Sequence, residues 1–101
     1  MTAPDDDHPP WSLTLYVSGA SPRSTQALET VRRLCDEELP GQVELKVVDV
    51  ADEPALAARD RIVAVPTLVK RLPAPPRQLV GDLADVDRLR AGLDLAVPGA
   101  Q

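Results

Sequence analysis

Apolar and polar positions alternate where the folded part of the chain begins. Leu13, Leu15 and Val17 occupy every second position, which predicts a strand that turns one face toward a core. Ser21 followed by Pro22 is typical of a helix start, since serine caps the free N–H groups and proline has no N–H to lose. The helix is predicted to end at Pro40-Gly41, and its apolar positions recur every three or four residues: Ala27, Leu28, Val31, Leu34, Cys35 and Leu39.

The rest of the chain continues the alternation of strands and helices. Residues 43–50 are rich in valine and leucine at alternating positions, which predicts a second strand, and residues 53–61 favour a short helix because they contain a proline near the start and several helix formers. Residues 62–69 and 78–80 predict two further strands, separated by the proline-rich stretch 73–76. A last helix is predicted from Leu83 to Val97 on the spacing of its leucines and valines.

The predicted order is strand, helix, strand, helix, strand, strand, helix, which indicates an α/β fold with helices packed on a sheet. This order resembles a thioredoxin-like domain (βαβαββα). Val65-Pro66-Thr67 resembles the turn in which that fold carries a cis proline, so the resemblance implies a cis bond at Pro66. The redox cysteines of thioredoxin would fall within residues 18–24, where this chain has none, and dithiol chemistry is therefore excluded there.

Composition narrows the possible functions. The chain has 101 residues, 44% of them hydrophobic, which suffices for one folded domain. A net charge of -5 and only two aromatic residues argue against nucleic acid as a partner. No apolar stretch is long enough for a membrane span and no signal peptide is evident, so we expect a cytoplasmic protein. Cys35 is the only cysteine and lies on the apolar side of its helix, which predicts a buried core residue.

Three segments are expected along the chain. Residues 1–11 form an acidic, proline-rich tail, residues 12–97 form the domain, and residues 98–101 form a second, short tail. His8 stands beside three aspartates in the first tail, but a flexible segment would first have to become ordered to hold a metal ion. We therefore expect no metal site and no cofactor.

Six short motifs, in order, carry a closer resemblance. Any one of them is weak, but together they are similar to the KaiB family of clock proteins, and they include an unusual proline-rich turn and a Gly-Asp-Leu step. The motifs are Leu15-Tyr16-Val17 with Ser21-Pro22, Leu45-Lys46-Val47-Val48-Asp49-Val50, Ala64-Val65-Pro66-Thr67-Leu68, Leu72-Pro73-Ala74-Pro75-Pro76-Arg77, Gly81-Asp82-Leu83 and Gly92-Leu93-Asp94-Leu95.

The resemblance implies a non-enzymatic regulator that binds the ring of a KaiC-like ATPase and competes there with a sensor kinase. It also implies exchange between the thioredoxin-like fold, as a monomer, and a ground-state fold (βαββααβ) that self-associates into dimers or tetramers, with the second half of the chain refolding. By position within the family, Arg61, Lys70 and Arg77 are implied as partner-binding residues.

The residues themselves give a separate reason to expect two folds. From Leu83 onward the apolar positions fit a helix, yet Leu93, Leu95 and Val97 also alternate as in a strand. Gly81 permits backbone angles that other residues resist, and Asp82 can cap a helix. We therefore place a hinge between the two folds at Gly81 and Asp82; the alternative is a simple frayed helix at the end of the chain.

Two other functions remain open at the level of sequence. One is an enzyme of the thioredoxin superfamily in which Ser21 or Tyr16 replaces the missing cysteines, although serine needs a base and the only histidine lies in the tail. The other is a stress-response or signalling adaptor that keeps the thioredoxin-like fold and never switches. An assay for turnover distinguishes the first from a binding protein, and the size and fold of the free chain distinguish the second.

Overall fold

The computed structural model describes residues 9–19, 21–81 and 83–95. Its elements are β1 (Trp11–Val17), α1 (Pro22–Glu38), β2 (Val43–Asp49), α2 (Pro54–Arg59), β3 (Thr67–Leu72), β4 (Arg77–Val80) and α3 (Val86–Gly92). This is the order that the sequence predicts for a thioredoxin-like domain.

One four-stranded sheet organises the domain, with strand order β2-β1-β3-β4. β1 runs parallel to β2, with Leu13 opposite Leu45, and antiparallel to β3, with Leu15 opposite Leu68. β4 returns antiparallel along β3. The parallel pair arises because α1 carries the chain back across the sheet between β1 and β2, whereas the β3–β4 pair needs only a short turn.

The alternation of side chains along β1 divides the core between the two faces of the sheet. Leu13, Leu15 and Val17 face α1 and α3 and belong to the larger buried cluster, together with Val31 and Leu34 of α1. Tyr16 points to the opposite face, where it forms a second cluster with Val48 and Val69. Residues of α2 and of the segment that follows it pack against this second cluster: Leu56, Ala57, Ile62 and Val65.

Both ends of α1 follow the sequence prediction. The Ser21 hydroxyl accepts a hydrogen bond from the Ser24 N–H at 3.2 Å, and Pro22 occupies the first turn. The helix ends before Gly41, whose φ of 71° suits glycine. Cys35 is buried in the core, as predicted.

Several boundaries differ from the prediction, and three of the differences affect the packing. β1 begins at Trp11, which the prediction assigned to the tail; Trp11 N–H donates to the Gln42 carbonyl at 3.0 Å. β3 begins at Thr67 rather than at Ile62, because the Ile62 N–H donates to the Ala57 carbonyl of α2 and the side chains of Ile62 and Val65 pack on the second cluster instead of pairing in the sheet. α3 is shorter than predicted, since the Asp85 carboxylate caps its start and the chain leaves the helix after Gly92.

Close packing fixes α3 against the sheet. A side-chain carbon placed on Gly92 would lie 2.6 Å from Leu79 Cδ2, so only glycine lets the helix approach β4 at this distance without displacing Leu79. Arg90 joins α3 to the end of α1, with its Nη2 2.8 Å from Glu38 Oε2. Residues 1–8 of the predicted first tail, the predicted second tail at residues 98–101, and residues 96 and 97 of the predicted domain and last helix lie outside the described residues.

Candidate interaction surface

The loop after β1 holds serine hydroxyls where thioredoxins carry thiols. Ser24 is buried, and its hydroxyl accepts the Ser18 N–H at 3.1 Å. Ser21 and Ser24 thus both use a side-chain oxygen to satisfy backbone N–H groups around the start of α1. This arrangement stabilises a loop and a helix terminus. In the described part of the loop, the partners of these hydroxyls are backbone N–H groups, which do not activate a hydroxyl as a nucleophile.

The Val65–Pro66 peptide bond, which precedes the residue of β3 that pairs with Tyr16 near the end of β1, is cis. The Thr67 hydroxyl donates to the Ala64 carbonyl at 2.6 Å and ties the turn to the start of β3.

Cys35 is removed from this loop and from solvent. Burial raises the pKa of its thiol to about 11, with a smaller contribution from the charge of Asp36. Because the thiolate is the reactive form, the thiol is inert near neutral pH.

A polar cluster joins the second face of the sheet to the end of α2. The Arg71 Nη2 lies 2.6 Å from Asp60 Oδ2, and Arg71 Nε donates to the Thr14 hydroxyl at 3.0 Å. The buried Tyr16 hydroxyl donates to the Asp60 carboxylate. These contacts hold the Arg71 guanidinium in one orientation at the surface.

The charges of this polar cluster reinforce one another. The hydrogen bond from Arg71 lowers the pKa of Asp60, against the opposing effect of burial, and the bond from Tyr16 lowers it further. Burial, and then the Asp60 carboxylate, raise the pKa of Tyr16. At neutral pH the polar cluster therefore contains a carboxylate, a guanidinium and a neutral phenol.

A cleft of about 310 Å³ opens beside the polar cluster, between the end of α2 and strands β3 and β4. We call it the arginine cleft, because four of its lining residues are arginines and one is an aspartate. Its lining residues are Arg59, Asp60, Arg61, Val69, Arg71, Pro76, Arg77 and Gln78.

The structure brings two of the three implied partner-binding residues together and separates the third. Arg61 and Arg77 both line the arginine cleft. Lys70 is 2% exposed, and its ammonium lies 5.8 Å from the centre of the Trp11 ring. Neighbouring strand residues point to opposite faces, so Lys70 lies on the face away from Arg71 and cannot reach a partner bound at the cleft in this fold.

The structure describes one of the two proposed hinge residues. Gly81 has a φ of 110°, a backbone angle that essentially requires glycine, and its carbonyl accepts the Leu83 N–H at 3.0 Å. Asp82 lies outside the described residues.

Three residues of the cleft, Arg59, Asp60 and Arg71, are not among those predicted from the sequence. A signal for Arg71 was present, because it shares the strand face of Thr67 and Val69, both of which are buried, and a charged residue at such a position needs a partner. Nothing in the sequence identifies that partner as Asp60, which approaches only because the chain turns after α2.

Comparison with known proteins identifies the family. The chain matches the KaiB domain over residues 14–95. It is 48% identical to the circadian clock oscillator protein KaiB of Microcystis aeruginosa over 83 residues, which is 82% of this chain and 80% of the relative. It is 49% identical to that of Synechococcus sp. strain RCC307, covering 82% of this chain and 76% of the relative.

The chain belongs to the KaiB family. The resemblance carried by the six sequence motifs is thereby confirmed, and the matched residues include the arginine cleft and Gly81.

Solved structures place this KaiB-family chain among thioredoxin-like folds. The N-terminal domain of Synechococcus elongatus SasA superimposes with a TM-score of 0.70 and 31% identity, covering 93% of this chain and 92% of that domain. Mitochondrial thioredoxin 3 from Saccharomyces cerevisiae gives a TM-score of 0.70 at 16% identity, over 88% of this chain and 82% of that chain. The second likeness concerns the fold alone.

The described part of the chain contains neither a metal-binding cluster nor a membrane-spanning helix. Across residues 9–19, 21–81 and 83–95, histidine, cysteine, aspartate and glutamate form no group of three or more that could hold a metal ion. Within the same ranges no helix is both long and apolar enough to cross a membrane.

Proposed function

We propose that this KaiB-family protein is a non-enzymatic regulator that binds the ring of a KaiC-like ATPase in circadian or related timing. The observation that carries the proposal is the family match over residues 14–95 together with curated relatives named as clock oscillator proteins. The serine-capped loop and the inert Cys35 support action by association, since neither supplies a nucleophile.

The proposed binding surface is the arginine cleft with Arg61 and Arg77 at its centre. Both are exposed. Arg77 makes a loose ion pair with Asp94 at 3.5 Å and a hydrogen bond to the Gly92 carbonyl at 3.3 Å; exposed contacts of this kind are weak, so both arginines can reorient toward acidic groups of a partner. Lys70 contributes to binding in a different way. Its ammonium can reach a partner only after a change of fold moves the strand that carries it.

Competition with a sensor kinase is part of the proposal. The likeness to the SasA N-terminal domain supports it, because two domains of one fold that are 31% identical over most of their length can present similar surfaces to one partner.

A change of fold is proposed to precede binding, with Gly81 as hinge and with self-association of the ground state. The φ of 110° at Gly81 supports the hinge, because this angle is open to glycine and closed to most residues, and a refolding segment needs such a point. The alternative is an adaptor that keeps the thioredoxin-like fold at all times. Size determination distinguishes them: a slow exchange between oligomer and monomer supports switching, and a monomer at all concentrations supports the adaptor.

The test is association of the purified chain with the KaiC-like ATPase of the same organism, with and without nucleotide. Saturable binding that R61E/R77E abolishes is expected. The matched control is R32E/R33E, which changes the charge equally at two exposed positions of α1 on the opposite side of the sheet. Absence of binding under all conditions, or turnover of a disulfide or glutathione substrate by the chain, contradicts the proposal.

A further inference from the structure

We infer that the arginine cleft is a binding site for a multiply charged phosphate-type oxyanion, such as the phosphate or pyrophosphate group of a small molecule. Such binding is distinct from partner binding, because it needs only the chain itself. The cleft is rich in positive charge. Four guanidinium groups line it against the single carboxylate of Asp60, in a protein whose net charge is -5.

Two of the four arginines of the cleft are held by partners and two are free. Arg77 pairs with the Asp94 carboxylate at 3.5 Å and donates to the Gly92 carbonyl at 3.3 Å. Arg71 is fixed, because Asp60 and Thr14 occupy its Nη2 and Nε. Arg59 and Arg61 are exposed, and their guanidinium groups make no hydrogen bond or ion pair with any other residue that the structure describes. A fixed charge beside two free guanidinium groups is suited to a multiply charged oxyanion, because each free guanidinium can donate two parallel hydrogen bonds to phosphate oxygens.

The backbone at Arg61 provides an independent observation. Its N–H bonds the Ala58 carbonyl at 3.1 Å and the Ile62 N–H bonds the Ala57 carbonyl at 2.9 Å, which together form a Schellman motif at the end of α2. Arg61 occupies the position that usually holds glycine, and its φ is 57°. An arginine held in a backbone conformation that glycine adopts more easily indicates that its side chain has a role at the rim of the cleft.

The size of the cleft also fits a small ligand. The cleft volume of about 310 Å³ lies at the lower end of the range of small-molecule sites, roughly 300 to 1,000 Å³. A phosphate group with a modest substituent fits such a space. A singly charged carboxylate would leave one of the two free guanidinium groups without a counter-charge.

The test is calorimetric titration of the purified full chain with inorganic pyrophosphate at constant ionic strength. We expect saturable binding at one site per chain. R61G is expected to weaken binding at least tenfold while raising the thermal midpoint, because glycine relaxes the backbone at this position. Weakened binding in a variant that is more stable than the parent cannot come from unfolding.

Matched variants and a second ligand complete the design. R59Q/R61Q should lose binding, whereas R32Q/R33Q, with the same charge change on α1, should stay within twofold of the parent. Equal losses in both double variants, unchanged affinity in R61G, or no saturable binding would overturn the assignment. An acetylated tri-aspartate peptide that binds as tightly as pyrophosphate would also overturn it, in favour of carboxylate groups. This titration contains no ATPase, so a negative result in it is distinguishable from a failure of the proposed function.

Discussion

The Arg71 guanidinium and the Asp60 carboxylate form an ion pair, 2.6 Å from Nη2 to Oδ2, that joins β3 to the residue ending α2. The Gln78 side chain adds a bond from β4 to the Asp60 carbonyl at 2.6 Å. The short helix α2 has no buried residue of its own and no side-chain cap at its start. Its attachment to the sheet therefore depends on the apolar contacts of Leu56 and Ala57 and on this polar connection.

Replacing Asp60 by asparagine should destabilise the fold by about 1 to 2 kcal/mol, because the buried side of the cluster loses a charge-assisted hydrogen bond while the exposed part of Arg71 remains solvated. Urea unfolding of D60N measures the change. Y16F is the comparison, since it removes only the hydroxyl that donates to Asp60 and should cost about 1 kcal/mol. A D60N variant as stable as the parent at neutral pH would show that the pair contributes nothing.

The same pair predicts a pH dependence. The folded-state pKa of Asp60 is lowered, chiefly by the hydrogen bond from Arg71, so the stabilisation is present above its unfolded pKa, about 3.9. It is lost as the pH falls through the lower folded value. The stability difference between parent and D60N should be constant from about pH 5 to 8 and shrink below about pH 4. A difference that grows on acidification would contradict the assignment.

Arg61 allows a test of backbone strain by a pair of variants. R61G should stabilise the fold by about 0.5 to 1 kcal/mol, because the cost of a left-handed backbone at a residue with a side chain exceeds the extra chain entropy of glycine. R61A removes the same charge but keeps the strain, so its stability should stay within about 0.5 kcal/mol of the parent. Equal unfolding midpoints for R61G and R61A would show that the position is unstrained.

The spacing of apolar residues predicted the helices and strands well where it follows only the helical period or only the strand period. α1 begins at Pro22 as expected because Ser21 and Pro22 act within one turn, and β1 and β2 follow from simple alternation. Residues 62–65 were predicted as strand because they are apolar, but that apolar character serves the second core cluster through Ile62 and Val65. Which apolar run pairs in a sheet depends on contacts that the pattern does not contain.

The arginine cleft could not be fully predicted from the sequence for the same reason. Arg61 and Arg77 came from family position, while Arg59 and Arg71 come to the cleft only through the turn after α2 and the pairing of β3 with β4. Lys70 follows Val69 directly in the sequence, yet strand alternation places it near Trp11 on the other face. Charge alone could not separate Lys70 from its neighbour Arg71.

Cys35 should react slowly in the folded protein. With a pKa of about 11, the thiolate fraction near pH 8 is roughly a hundredfold below that of a free thiol with a pKa near 8.5. Modification by a disulfide reagent should therefore be at least about a hundredfold slower in buffer than in urea, and the folded-state rate should rise about tenfold per pH unit below pH 10. Rapid modification at pH 7 would show that α1 opens readily.

Gly81 is the position at which the proposed change of fold can be separated from ordinary destabilisation. At a φ of 110°, alanine is strained, so G81A should weaken the thioredoxin-like state by about 1 kcal/mol or more. Gly41 provides the matched control, because its φ of 71° also favours glycine but it lies between α1 and β2, in the half that is not expected to refold.

If Gly81 is a hinge, G81A and G41A should have different effects on the balance between the two folds. G81A should increase a second set of backbone resonances in slow exchange and shift the chain toward the self-associated form, whereas G41A should lower the stability of both forms and leave their ratio unchanged. Heteronuclear NMR spectra combined with sedimentation measure both quantities. A G81A variant that only unfolds more easily, with no second folded species at any concentration, would place the hinge elsewhere, because the strain at Gly81 would then not change the balance between two folds.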